Sequence, residues 1–236
     1  MNNATAPSGA YPSAARQTDS NIIAVLNQKG GVGKSMLTMS LCQNGARSGA
    51  RQLAVDVDPQ GTTYSFSRLM DNPGYDFVHE TDATELTKIQ QLRNYDEIIV
   101  DSPGSLEGRD VLQEILKRAT YVLIPYDNEV ESMEPTLTTA QVVKASGKPY
   151  GVVVTKVDPR RSDTFVKEAW ELLDGEGIHH LHSFVLLYTV WRDSLKAGVP
   201  ITRFNARYAP RIRDCVSAVH TEIHLELSRI APAGAI

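Results

Sequence analysis

Ile22-Ile23-Ala24-Val25-Leu26, followed after two residues by Lys29-Gly30-Gly31-Val32-Gly33-Lys34-Ser35, is the stretch that decides the fold. A short apolar run reads as a buried strand, and the glycine-rich turn after it leads into a helical pattern. Glycines let backbone N–H groups converge on an anion at a helix N-terminus, where the helix dipole also favours negative charge. Lys34 is placed to reach phosphate oxygens, and the Ser35 hydroxyl suits a hard cation such as Mg²⁺. A phosphate cradle formed by Lys29, Gly30, Gly31, Val32, Gly33, Lys34, Ser35 and Met36 is therefore expected. The second lysine, Lys29, distinguishes this loop from an ordinary one. The helix after it places Met36, Leu37, Leu41 and Cys42 on one face, with Gly49 as its stop.

The rest of the chain repeats the alternation. Strands are predicted at 22–26, 52–57, 96–101, 120–125, 150–155 and 183–187, and helices at 34–48, 107–118, 132–146, 162–174 and 207–230. Unbroken runs such as Ile98-Ile99-Val100 and Val152-Val153-Val154 suit strands covered on both faces. Strands alternating with helices imply an α/β, doubly wound, mostly parallel sheet with helices on both faces, and ligands at the carboxyl ends of its strands. Ser162 is read as a helix cap, and 61–94 as irregular. Residues 1–20 are small and polar and read as a flexible tail, leaving 21–236 as a single domain.

Composition sets bounds. The chain has 236 residues, 42% of them hydrophobic and 22% charged, with a net charge of −4. These are ordinary globular values and exclude a uniformly basic nucleic-acid binder. No run approaches the roughly 20 apolar residues of a membrane span. Cys42 and Cys215 lack metal-ligand spacing and read as reduced thiols of a cytoplasmic protein. Charge is uneven, however. From Arg192 to Arg213 there are six basic residues and one acid, an excess that can face a phosphate backbone. Arg207, Arg211 and Arg203 are expected to share a helix face. His179, His180 and His182 read as surface loop residues without accompanying ligands.

Two further segments carry chemistry. Asp56-Val57-Asp58-Pro59-Gln60-Gly61 ends the second predicted strand with two carboxylates, which can order Mg²⁺ waters or hold an attacking water. Ile98-Ile99-Val100-Asp101 ends in a carboxylate suited to Mg²⁺, and Ser102-Pro103-Gly104 after it is a turn where a γ-phosphate can be sensed. Asp96 reads as a solvated residue at the start of that strand. Thr155 and Lys156, at the end of a further strand, are expected to contact a nucleotide base, with Pro200 on the pocket's other wall.

KGGVGKS, DVDPQG and YDEIIVDSPG, in this order, resemble the ParA/MinD group of P-loop ATPases with a deviant Walker-A motif. DPQG is closer to the ParA partition branch than to MinD. The resemblance spans nearly all of 21–230. It implies an ATP- and Mg²⁺-dependent homodimer in which Lys29 crosses to the partner's phosphates. It makes Lys34 and Ser35 the phosphate and metal holders, Asp58 the positioner of the hydrolytic water and Asp101 a metal-site acid, with Asp56 as the other second-strand acid. Non-specific DNA, with Arg203, Arg207, Arg211 and Arg213 as its candidate contacts, and a ParB-like adaptor are the implied partners, with a nucleoid-associated location and no membrane. The length matches the short form that lacks a separate DNA-binding domain, and Ser35 stands where threonine is common. Rival functions sharing these motifs are positioning of a protein cargo, such as a chemoreceptor array or microcompartment, and MinD-like division-site regulation. Metal-insertion or reductase relatives need paired cysteines, and kinase relatives a terminal tyrosine cluster; this chain has neither.

Overall fold

The computed structural model of the chain describes residues 20–104, 109–187 and 189–230. The expected tail lies outside the described residues except for Ser20, whose hydroxyl donates to the carbonyls of Leu92 and Tyr95. Seven strands form one sheet: β1 (Asn21–Val25), β2 (Gln52–Asp56), β3 (Asp76–His79), β4 (Glu97–Asp101), β5 (Tyr121–Tyr126), β6 (Tyr150–Val157) and β7 (His180–Leu186). Their spatial order is β3-β2-β4-β1-β5-β6-β7, and every pairing is parallel. The helices are α1 (Lys34–Arg47), α2 (Thr62–Leu69), α3 (Ala83–Leu86), α4 (Arg109–Arg118), α5 (Val130–Ala145), α6 (Ser162–Gly175), α7 (Val190–Lys196) and α8 (Ala209–Ile230).

Period-two geometry splits the core into two layers. Ile22, Ala24 and Leu26 of the β1 segment join Val122, Val152 and the apolar residues of α4, α5 and α6 on one face. Ile23 and Val25 point the other way, into Leu37, Leu41 and Cys42 of α1 and Ile212, Val216 and Val219 of α8. Most of these side chains are fully buried, worth about 1.5–3 kcal/mol each for a large aliphatic. Both faces are covered, which is why the central strands read as continuous apolar runs.

The six strands expected from sequence are present with end shifts of at most three residues. The seventh corrects the reading of 61–94 as irregular: that segment holds α2, the edge strand β3 and α3. Helix α7 was also not anticipated. Gly49 does follow the end of α1 with φ of 88°, and Cys42 is buried in the core. Ser162 is the first residue of α6 rather than its cap, and Arg161 at the cap position makes no side-chain capping bond.

Parallel order brings the ends of β1, β2 and β4 together at one rim. There β1 sits between β4 and β5, with chain connections leaving in opposite directions, the switch point at which sheets of this kind bind ligands. The turns after β1, β2 and β4 carry all three motifs of the sequence.

Candidate nucleotide site

The loop between β1 and α1 is built around its glycines. Gly31 and Gly33 have φ of 79° and 101°, values that a side chain disfavours. Gly33 also ends the turn at the first residue of α1, whose N-terminal amides face the loop. The start of the loop is pinned from α5. The buried Asn27 amide donates to the Pro125 carbonyl and the Thr136 hydroxyl, at 2.8 and 3.0 Å. Its carbonyl oxygen accepts from the Lys29 amide at 2.9 Å. The far side is tied by Thr155, whose hydroxyl donates to the Val32 carbonyl at 2.8 Å. Asn27 and Thr155 therefore set the shape of the loop, and sequence reasoning missed Asn27 altogether.

The two lysines differ sharply. Lys34 is 7% exposed, and its ammonium donates to the Lys29 carbonyl at 3.0 Å. Burial lowers its pKa, while the charges of Asp101 and Asp58 act against that. Lys29 is half-buried, and its ammonium has no hydrogen-bond or ion-pair partner among the described residues.

Asp101, at the end of β4, is 1% exposed and accepts from the Thr63 hydroxyl at 2.6 Å. Burial drives its pKa up to about 6, against the Thr63 and Ser35 hydroxyls and the Lys34 charge; nearby Asp56 adds to the rise. Its other oxygen, Oδ1, is buried without a hydrogen-bond partner. A buried, unpaired carboxylate oxygen next to a serine hydroxyl fits a hard cation with oxygen ligands, so Ser35 and Asp101 suit Mg²⁺.

Asp56 sits differently from the expectation of a metal ligand. Its two oxygens accept from the backbone amides of Asp58, at 3.1 Å, and Tyr64, at 2.9 Å. It organises the turn into α2 and leaves Asp101 as the carboxylate with an unpaired oxygen. Asp58 lies in that turn, half-exposed, with one oxygen accepting from Gln60 N. Its carbonyl contacts the His79 ring at 2.9 Å, and His79 stacks on Tyr64. The edge strand thus steadies the turn that aims Asp58. Gly104 closes the site from above: a Cβ there would lie 3.4 Å from the Lys34 ammonium and 3.5 Å from the Gly30 Cα.

The residues expected to contact a base have other partners in this structure. The Thr155 hydroxyl serves the loop backbone. Lys156 adopts φ of 56° and pairs with Asp127 at 2.8 Å. Pro200 is buried, and the adjacent Ile201 amide donates to Gln43 in the middle of α1. Gln43 lies nine residues beyond Lys34, about 13 Å along the helix, so Pro200 is not brought to the loop.

The arginines divide likewise. α8 begins at Ala209, so Arg203 and Arg207 occupy the preceding turns and the expected shared helix face does not form. Arg203 donates to the carbonyls of Asp71 and Asn72, and Arg213 to those of Ile201 and Phe204. Both hold loops in place. Arg207 lies over the Tyr208 ring, and Arg207 and Arg211 are exposed. Asp96 is solvent-facing, as expected, and pairs with Arg51.

The family described as the CobQ/CobB/MinD/ParA nucleotide binding domain matches residues 23–201. The chain belongs to this family. The match starts in β1 and ends after α7, so it takes in the phosphate loop, both acidic turns and the Gly104 turn. Maintenance of carboxysome distribution protein A of Gloeobacter kilaueensis is 29% identical over 205 residues, covering 86% of this chain and 90% of its own length. The chromosome-partitioning ATPase Soj of Thermus thermophilus is 30% identical over 176 residues, covering 58% and 70%. The fold is also that of the septum site-determining protein MinD of Pyrococcus horikoshii, solved with Mg-ADP. It gives a TM-score of 0.68 at 16% identity, covering 88% of this chain and 98% of that one. The family is one of nucleotide-binding domains, and its match spans this rim.

Proposed function

We propose that this chain is a Mg²⁺-dependent ATPase that acts as an ATP-closed homodimer on DNA, partitioning a plasmid or chromosome region with a ParB-like adaptor. One observation carries the reading: Lys34 folds back onto its own loop, while the Lys29 ammonium, on a backbone pinned by Asn27, has no partner among the described residues. A lysine so held can reach the phosphates of a second copy.

Bound Mg²⁺, held by Ser35 and Asp101, would neutralise charge on the phosphates. The amides of residues 30–34 cradle those phosphates, and Lys34 adds a desolvated positive charge. Asp58 holds the attacking water in line, and the partner's copy of Lys29 offsets charge as it develops. Arg207 and Arg211 contact the DNA backbone without reading bases, which suits nucleoid-associated work in the cytoplasm. A membrane role is disfavoured because α8 spends its apolar face on the sheet, through Ile212, Val216, Val219 and Ile223. No helix among the described residues is long and apolar enough to cross a membrane.

A second reading is positioning of a protein assembly by the same cycle. Its support is the carboxysome-distribution relative, whose similarity extends over 86% of the chain. The two readings share the dimer and differ in the adaptor.

Lys29→Gln tests the shared site. The variant is expected to bind a fluorescent ATP analogue like wild type, yet to stay monomeric by light scattering when ATP is added. ATP-dependent dimerisation at the wild-type concentration range would refute the role of Lys29.

A further inference from the structure

We propose that Glu97, His220 and His224 form a binding site for a divalent transition-metal ion of the zinc class, at the opposite end of β4 from the nucleotide. Asp101 lies four residues after Glu97 along the strand, about 13 Å away.

His220 and His224 stand one turn apart on α8 and share a face. Glu97, the first residue of β4, lies beneath them and is 2% exposed; His220 is 4% exposed. The carboxylate faces both rings. Oε2 is 2.8 Å from His220 Nε2, and Oε1 is 3.2 Å from His224 Nε2. The three candidate ligand atoms lie within 4.8 Å of one another, and the ring centroids are 4.7 Å apart. Ligands of a tetrahedral zinc ion, at about 2.0–2.2 Å from the metal, are separated by roughly 3.3–3.5 Å. Side-chain adjustments of about 1 Å convert one arrangement into the other.

Two further features favour an ion over a simple charge pair. Glu97 Oε1 is fully buried and lacks a well-aligned hydrogen bond, despite the nearby imidazole. On the other side of His220, Nδ1 is 3.0 Å from the Asn44 side-chain amide on α1. With its carbonyl oxygen turned to that position, Asn44 accepts an Nδ1 proton and leaves Nε2 free to ligate.

The cluster opens on a cavity of about 330 Å³ whose lining includes Asn21, Ser48, Asp96 and Thr221. That space leaves a fourth position for water. The histidines at the start of β7 and just before it offer no equivalent. His179, His180 and His182 pair with Glu226, Asp174 and Glu222 respectively, which makes three separate contacts. Among the described residues the Glu97 cluster alone brings three such ligand atoms together. An ion there would clamp α8 to the sheet.

The test is a Zn²⁺ titration of the full chain, free of nucleotide and in millimolar Mg²⁺ to occupy the oxygen ligands near Ser35. Bound metal is counted after gel filtration, and affinity is measured by competition with a chromophoric chelator. Wild type is expected to retain one zinc per chain. His224→Ala, at a half-exposed position, should keep its circular dichroism spectrum and lose at least tenfold in affinity. Asn44→Ala should lose about tenfold. Folded wild type that retains no zinc would overturn the proposal, as would equal zinc affinity in wild type and His224→Ala.

Discussion

Asp101→Asn should make the metal-free, nucleotide-free protein more stable at pH 8 while removing its Mg²⁺-dependent nucleotide affinity. Asp101 carries its folded pKa at about 6, above the ordinary 3.8, chiefly because burial disfavours the carboxylate. A raised carboxyl pKa means that ionisation opposes folding. Below pH 3.8 the group is protonated in both states and the penalty is absent. It grows as pH rises from 3.8 towards 6 and is complete above that. A shift of about two units at about 1.36 kcal/mol each gives about 3 kcal/mol as an upper bound. In a chain of this size 1 kcal/mol moves Tm by about 2–4 °C, so the variant should gain up to about 6–12 °C at pH 8. The Thr63 hydroxyl still has the amide oxygen of Asn to donate to, so no new orphan is created there. Scanning calorimetry in EDTA from pH 5 to 8.5 measures the gap, which should shrink steadily towards pH 5. A gap that is constant with pH, or a variant less stable than wild type at pH 8, would refute the argument. The trade is physically sensible: a carboxylate buried with one unpaired oxygen costs stability until a cation arrives.

Thr155→Val keeps the shape of a buried side chain but strips the donor from the Val32 and Tyr126 carbonyls. It should destabilise by about 1–3 kcal/mol and weaken ATP binding in an equilibrium fluorescence titration, because the loop loses its tether; unaltered affinity would show that the tether is idle. Reversing charge at Arg207 and Arg211 together should abolish co-sedimentation with DNA in ATP and leave nucleotide binding intact. Retained DNA affinity would remove these two arginines from the interface.

The central strands and the phosphate loop were legible because their information is local. A strand covered on both faces must be apolar throughout, as Ile98-Ile99-Val100 is, and a cradle of backbone amides must be rich in glycine. The edge strand β3 escaped notice for the converse reason. Asp76-Phe77-Val78-His79 is four residues long with exposed ends, so it needs no apolar run. Helix α7 is only seven residues and shows little periodicity. The carbonyl partners of Arg203 and Arg213 were not legible because sequence displays charge, whereas the carbonyls these side chains cap come from other turns.

Sequence by itself determined the alternating α/β architecture, the glycine loop with its two lysines, and the acids at the ends of β2 and β4. Tertiary structure decided how those groups divide the work. Asp56 turned inward to bind amides, and Asp101 kept one oxygen unpaired. Asn27 and Thr155 became the anchors of the loop through partners up to 123 residues away. The meeting of Glu97 with His220 and His224 spans a similar separation. Motifs record what a residue can do chemically, but burial and partner choice exist only once distant segments of chain have packed together.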